Sequence, residues 1–291
     1  MPLKPATRLD YGARIARSMA LLARDPGRVT SLEELAAEAA FSPYHFHRIY
    51  RMMSGETPAE TLVRLRLHQA ASELIRGSAP VEKVARKAGY SGAASFTRAF
   101  RAAHGIPPAA YRARGGSGAV LRCSATPRED SSMHDVTIRE LPPLRLAMIG
   151  HSGDYQRISA AFDRLEAWAR ARGLTGPETR FFGIYHDDPH SVAREALRSE
   201  AALTVPASAQ GDDDVRIVDM PALRVAALRF QGPYAELECG YDALYRDWLP
   251  GSGEEPETLP AMEEYLNDCK ALPPTEWLTD IMVPLKARVP A

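Results

Sequence analysis

Two stretches decide the fold: "LEELAAEAAFSPYHFHRIYRMMSGETP" at 32–58 and "VEKVARKAGYSGAASFTRAFRAAHGIPP" at 81–108. They align at an offset of 49 through Leu32/Val81, Ala36/Ala85, Phe41/Tyr90 and Ser42/Ser91. After one inserted residue the offset is 50, pairing Phe46/Phe96, Arg48/Arg98, Tyr50/Phe100, Arg51/Arg101, Gly55/Gly105 and Pro58/Pro108. One unit is used twice. In each copy, apolar residues at helical spacing (Leu32, Leu35, Ala36, Ala39; Val81, Val84, Ala85, Ala88) predict a short amphipathic helix. Ser31 with Glu34 is a capping-box start. A turn follows at "AFSP" and "GYSG", where Ser42 and Ser91 can cap a second helix and Pro43 suits its first turn. The unit reads helix, tight turn, helix.

The second helix places Phe46, Ile49 and Tyr50, or Phe96, Ala99 and Phe100, on an inner stripe. Tyr44, His45, His47, Arg48 and Arg51 fall largely outside it, as do Ser95, Thr97, Arg98 and Arg101 in the other copy. In a helix-turn-helix the second helix enters the major groove, and these side chains, with Ser42 at the turn, are good donors to bases and phosphates. Between the units, "TPAETLVRLRLHQAASELIRGS" predicts one connecting helix of roughly 18 residues, about 27 Å long. Such a rod can hold two recognition helices near the roughly 34 Å spacing of successive major grooves. The histidine pair does not read as a metal site: His45 and His47 are two apart and point in different directions, whereas ligands sharing a helix face need a spacing of three or four. No metal and no cofactor is expected.

Charge follows the same division. Residues 1–114 hold 18 Lys+Arg against 9 Asp+Glu, and the remainder holds 18 against 28, so a half of +9 is joined to a half of −10. A polyanion is the natural partner of the first. These residues closely resemble the DNA-binding domain of AraC-type bacterial transcription regulators, two helix-turn-helix units joined by a long helix, over about residues 8–114. The resemblance implies double-stranded promoter DNA as partner, and the groups named above as its DNA-binding residues. One departure stands out: the second recognition helix starts with Gly92, Ala93 and Ala94, so the first unit is expected to read more sequence than the second.

The acidic half repeats itself too. Residues 136–165 match 215–244 at a constant offset of 79, pairing Val136/Val215, Pro142/Pro221, Arg145/Arg224, Gly153/Gly232, Tyr155/Tyr234 and Asp163/Asp242. Each copy reads as strand, proline turn, strand, glycine loop and helix. "RFFGIYHDD", "EAALTVP", "AMEEYLND" and "LTDIMVP" are further strand candidates. Two such halves would pack into one sheet with a groove between them, a preferred ligand position.

Here the chain resembles the GyrI-like small-molecule-binding domain over roughly 134–289, on the "GDY" and "GPY" loops, "YHDDP" at 185–189, "EEYLND" at 263–268 and "TEWLTDIMVPL" at 275–285. The resemblance implies a groove for amphipathic, often cationic compounds, with aromatic walls and a buried glutamate. Motif position assigns that glutamate to Glu276, with Tyr155, Tyr185, Tyr234 and Trp277 as candidate wall residues. Competing readings are a surface or salt-bridged strand glutamate paired with Arg198, and plain core packing for each tyrosine. A carboxylate in an apolar pocket selects cations, and aromatic faces add about 0.5–2 kcal/mol each.

The expected fold class is therefore multidomain: an all-α doubled helix-turn-helix domain (8–114; units at about 31–54 and 80–104, joined by a helix over 58–76), a linker at 115–132, and an α+β domain of two pseudo-symmetric halves at 133–289. At 291 residues, 45% apolar and 25% charged, the chain has room for both. Neither a signal-like start nor an apolar run of about eighteen residues is visible, which predicts a cytoplasmic protein without a membrane partner. Three cysteines, Cys123, Cys239 and Cys269, form no C-x-x-C pair and read as free thiols. The function these features imply is a DNA-binding transcription regulator sensing a small hydrophobic or cationic ligand, which biases the chain toward a conformation, or an RNA polymerase contact, that changes transcription. The alternative is a small-molecule hydrolase fused to a DNA-binding module, with Glu276 as general base. Against it stands the lack of a Ser-His-Asp order, nucleophile elbow, phosphate loop or metal cluster.

Overall fold

The computed structural model describes residues 5–114 and 136–287, so the segment expected as a linker, 115–132, lies outside the described residues. The first part is wholly helical: α1 Pro5–Arg24, α2 Leu32–Glu38, α3 Pro43–Ser54, α4 Pro58–Arg76, α5 Val81–Lys87, α6 Ala93–His104 and α7 Pro108–Ala113. The repeat is visible in the geometry. Phe46 and Tyr50 stand one turn apart on α3 with ring centroids 5.5 Å apart, and Phe96 and Phe100 on α6 do the same at 5.4 Å. All four rings are fully buried, each fixing its helix against the preceding one, and truncating any to alanine would cost about 3–5 kcal/mol. Both recognition helices stop at a left-handed glycine, Gly55 (φ 78°) and Gly105 (φ 79°), a conformation that other residues resist.

The caps agree with the sequence reading in part. Ser31 accepts from the Glu34 amide at 3.2 Å, and Thr57 with Glu60 forms a full capping box at the start of α4. Ser42 sits at the N-cap of α3 without making the side-chain bond. Ser91 is not a cap, because α6 begins one residue later and Gly92 takes that place.

The second part is an eight-stranded antiparallel sheet: β1 Val136–Leu141, β2 Leu144–Ser152, β3 Phe181–Tyr185, β4 Arg198–Thr204, β5 Arg216–Met220, β6 Leu223–Gln231, β7 Ala261–Tyr265 and β8 Leu278–Pro284. Helix α8 (Ser159–Ala171) follows β2, and α9 (Leu237–Asp242), a π-helical turn (Ala243–Trp248) and α10 (Leu249–Ser252) follow β6. Strand order is β1-β6-β8-β7-β3-β4-β2-β5. That order is a palindrome under the sequence repeat: exchanging β1 with β5, β2 with β6, β3 with β7 and β4 with β8 returns it unchanged. The pseudo-twofold axis falls between β3 and β7, and each half lends its first strand to the other half's edge, β1 pairing with β6 and β5 with β2. The offset grows from 79 at β2/β6 to 80 at β3/β7 and β4/β8. The extra residue lies beyond Asp242, where the helix contains its π turn, a form that absorbs one inserted residue.

Side chains alternate across the strands. One face buries Ala147, Ile149, Ala201 and Leu203 under α8, and Ala226, Leu228, Ile281 and Val283 under α9 and its continuation. On the other face Leu141 of one edge strand and Val218 and Met220 of the opposite edge join a single cluster with Phe182, Met262 and Met282, because the sheet curls. The α9 cluster does not end at the sheet. It runs on through Tyr11, Ile15, Phe46 and Ile49 of the helical region. Among the described residues no helix is long and apolar enough to cross a membrane.

Candidate ligand cleft and DNA-facing helices

At the pseudo-twofold axis Gly183 of β3 lies opposite Glu263 of β7. The two positions are equivalent under the repeat, so duplication left a carboxylate on one side and no side chain on the other. The glycine is required: a Cβ there would stand 2.7 Å from both the Tyr185 ring and the Tyr265 hydroxyl. Tyr185 and Tyr265 are themselves equivalent residues, and their hydroxyls meet at 2.7 Å across the axis. Tyr265 donates to one Glu263 oxygen at 2.9 Å and Tyr241 of α9 donates to the other at 2.9 Å. Glu263 is 4% exposed, and burial raises the pKa of its carboxyl while the tyrosine hydroxyls pull it back. Burial also drives Tyr185, Tyr241 and Tyr265 well above the usual phenol range, so each remains a donor at neutral pH.

These groups form the floor of a cleft of about 990 Å³ between α8, α9 and the sheet. Its walls include Tyr155, Phe162, Tyr185, Tyr234, Tyr241 and Tyr265. Tyr155 meets Tyr185 edge-on at 4.8 Å, and its hydroxyl donates to the Asp187 carbonyl at 3.0 Å. Tyr234 packs between Tyr265 (5.2 Å) and Trp277 (4.4 Å). Acidic side chains at Asp154, Asp163, Glu166, Glu238 and Asp268 line the cleft with Arg170, Arg194 and Lys270, and Lys270 is paired to Asp163 at 3.0 Å. An aromatic volume of this size with a buried carboxylate at its floor and charged groups at its edges has the make-up of a small-molecule site.

The expected glutamate is corrected. Glu276 is exposed on a 3-10 turn (Pro274–Glu276) that precedes β8, outside the cleft, and Arg198 pairs with Asp187 at 2.7 Å rather than with it. The buried carboxylate is Glu263, inside the quoted "EEYLND". Strand alternation was the signal: on β7, Glu263 and Tyr265 share one face, while Glu264 points to the other and meets Arg180 at 2.6 Å. Tyr155, Tyr185 and Tyr234 line the cleft. Trp277 does not; it stands behind Tyr234, donating its indole N–H to the Leu272 carbonyl at 3.0 Å.

The two recognition helices are placed very differently. On α6, Arg98 and Arg101 are exposed, Thr97 is half-buried, and the Ser95 hydroxyl donates to the Gly92 carbonyl at 2.9 Å. On α3 the set expected to face the groove is covered by the second half of the chain. His45 is fully buried with Nδ1 2.6 Å from the Tyr245 hydroxyl on the π turn. The Arg48 guanidinium lies over the Tyr241 ring at 4.0 Å, 8% exposed, and lines the cleft. Arg51 reaches Asp242 at 3.5 Å and Glu238 at 3.6 Å. Tyr44 packs against His186 at 5.9 Å, Ser42 donates to the Glu257 carbonyl at 3.5 Å, and His47 is half-buried. From α1, Tyr11 donates to the Glu254 carbonyl at 3.0 Å and Arg14 approaches Glu255 at 3.4 Å. This contact was not foreseen, since no sequence pattern reports which distant surface a helix meets.

Comparison with known proteins agrees with this architecture. Residues 134–286 match the GyrI-like small molecule binding domain, and residues 35–114 match a helix-turn-helix domain of the AraC type. The chain is 32% identical to a DNA gyrase inhibitor of Edwardsiella piscicida over 142 residues, covering 45% of this chain and 84% of that one. It is 38% identical to the RCS-specific HTH-type transcriptional activator RclR of Escherichia coli over 89 residues, 31% of each chain. The crystal structure of the EcmrR C-terminal domain superposes with a TM-score of 0.48 at 19% identity, over 53% of this chain and 98% of that one. The protein thus joins an AraC-type helix-turn-helix DNA-binding region to a small-molecule-binding domain. The chain belongs to the GyrI-like family.

Proposed function

We propose that the protein is a one-component transcription regulator whose cleft receives a small lipophilic cation, held by the Glu263 carboxylate and the tyrosine walls. The observation carrying this reading is the buried Glu263, whose oxygens accept from Tyr241 and Tyr265 at the floor of an aromatic cleft. A carboxylate taken out of water is costly, and a cation entering the cleft relieves that cost. Promoter DNA would be met by Arg48 and Arg51 of α3 and by Thr97, Arg98 and Arg101 of α6, with RNA polymerase as the downstream partner.

A receptor fits the cleft better than a hydrolase. The proposed general base Glu276 is exposed on a turn outside it, and both oxygens of Glu263 are engaged by tyrosine donors rather than presented to a water. The test is titration of the full chain with tetraphenylphosphonium by calorimetry, with mass spectrometry of recovered ester and amide probes. Saturable binding of the cation without turnover supports the reading; turnover, or no cation binding, contradicts it.

A further inference from the structure

We propose that Arg48 is the cleft's internal occupant, a cation supplied by the first recognition helix that an incoming lipophilic cation must displace. This deepens the ligand reading above and rests on it. The Arg48 guanidinium sits where such a ligand would: over the Tyr241 ring at 4.0 Å, with Tyr245 at 5.8 Å, its charge acting on the Glu263 and Asp188 carboxyls. It is 8% exposed, so it has given up most of its water for the faces of Tyr241 and Tyr245, the kind of surface that recommends the cleft to a foreign cation.

One side chain therefore belongs to two surfaces. Arg48 is the counterpart of Arg98, the exposed arginine of the second recognition helix, so its groove-facing position and its cleft-facing position exclude each other. A helix filling a major groove about 12 Å wide cannot also carry α9 and the π turn on the same face. Three of the fastenings beside Arg48 come from that one segment: Tyr245 on His45, and Asp242 and Glu238 on Arg51. A second cation brought into the cleft competes for the Tyr241 face and Glu263, and repels Arg48 in a low dielectric. Ligand entry then releases α3. The closed chain presents α6 alone to DNA, and the ligand-bound chain presents both recognition helices. By linkage, DNA that captures α3 strengthens ligand binding by the same factor.

The test titrates tetraphenylphosphonium into the full chain, followed by tryptophan and tyrosine fluorescence, with hydrogen exchange of residues 43–54 as a second readout. Arg48→Met keeps the length and apolar body of the side chain and removes its charge. It is expected to tighten probe binding about tenfold, the gain from removing an internal competitor. In the wild-type chain the probe is expected to speed exchange in α3 and leave α6 unchanged. Asp242→Asn, which loosens the Arg51 fastening outside the cleft, is expected to tighten the probe about twofold and serves if Arg48→Met does not fold. Equal probe affinity in the variants overturns the proposal, and weaker affinity in Arg48→Met makes Arg48 a ligand contact, which overturns it too. If the probe binds wild type, loses affinity in Glu263→Gln and is indifferent to Arg48, the ligand reading stands and this proposal alone falls. Absence of binding by every form removes both.

Discussion

The Tyr241 side chain has one partner on its face and another at its tip: Arg48 stacks on the ring at 4.0 Å, and the hydroxyl donates to Glu263 at 2.9 Å. Through this one residue the helix expected in the DNA groove touches the carboxylate expected to hold the ligand.

Glu263→Gln should fold and keep the tyrosine frame, since an amide oxygen still accepts from one hydroxyl. Calorimetry should show probe affinity falling by about tenfold to a hundredfold, the weight of a charge-assisted contact in a dry site. The raised carboxyl pKa sets a pH direction. Protonation removes the attraction, so cation affinity should fall as pH drops through that raised value, while apo stability gains, because the folded chain binds this proton more tightly than the unfolded chain. A pH-independent affinity would remove Glu263 from the ligand's first contacts.

Acid should loosen the contact between the two halves through His45. Burial lowers its pKa to about 4, with Arg48 adding to the shift; Tyr245 faces Nδ1, and Glu257 and its backbone act from the loop after α10. The neutral imidazole is the docked form. Docking is thus fully favoured above the ordinary pKa near 6.5 and is lost as pH falls toward 4, by roughly 1 kcal/mol at pH 5.5. Hydrogen exchange of residues 43–54 at pH 7.5 and 5.5 reads this directly. In His45→Phe the step should vanish.

Arg98→Ala and Arg101→Ala lie on the open helix α6 and should leave the melting temperature nearly unchanged, within about 0.5 kcal/mol. DNA affinity should fall, and the slope of log affinity against log salt should flatten by about 0.9 for each phosphate that is no longer neutralised. Full retention of the slope would place DNA elsewhere.

Gly183→Ala should damage the cleft from its back wall. Its methyl would meet the Tyr185 ring and the Tyr265 hydroxyl at 2.7 Å, forcing apart the hydroxyl pair at the axis. A loss of about 1–3 kcal/mol in stability is expected from overpacking, with weaker probe binding. Unaltered binding would separate the tyrosine clasp from ligand recognition.

Much of this architecture was legible because both halves of the chain are duplicated. The recurrence of Phe46/Phe96 and Gly55/Gly105 marks positions where packing and backbone conformation leave little choice, and the repeat at an offset of 79 carried the expectation of two like halves in one sheet. The site was harder. Glu276 and Glu263 both stand in recognisable motifs, but Glu276 falls on the turn before β8, and on β7 strand alternation with the register against Gly183 turns Glu263 inward and Glu264 outward. The docking of α3 on α9 left no periodic trace, since it joins residues about two hundred positions apart through single contacts such as His45 to Tyr245.

The central claim is that ligand in the cleft frees the first recognition helix for DNA. Its most direct test is the salt dependence of full-chain binding to a fluorescent duplex, measured with and without saturating tetraphenylphosphonium. The account predicts tighter binding with the probe and a slope steeper by about 0.9 for each arginine, Arg48 and Arg51 foremost, that joins the phosphate contacts. An identical affinity and slope in the two conditions, with the probe shown to be bound, would contradict it.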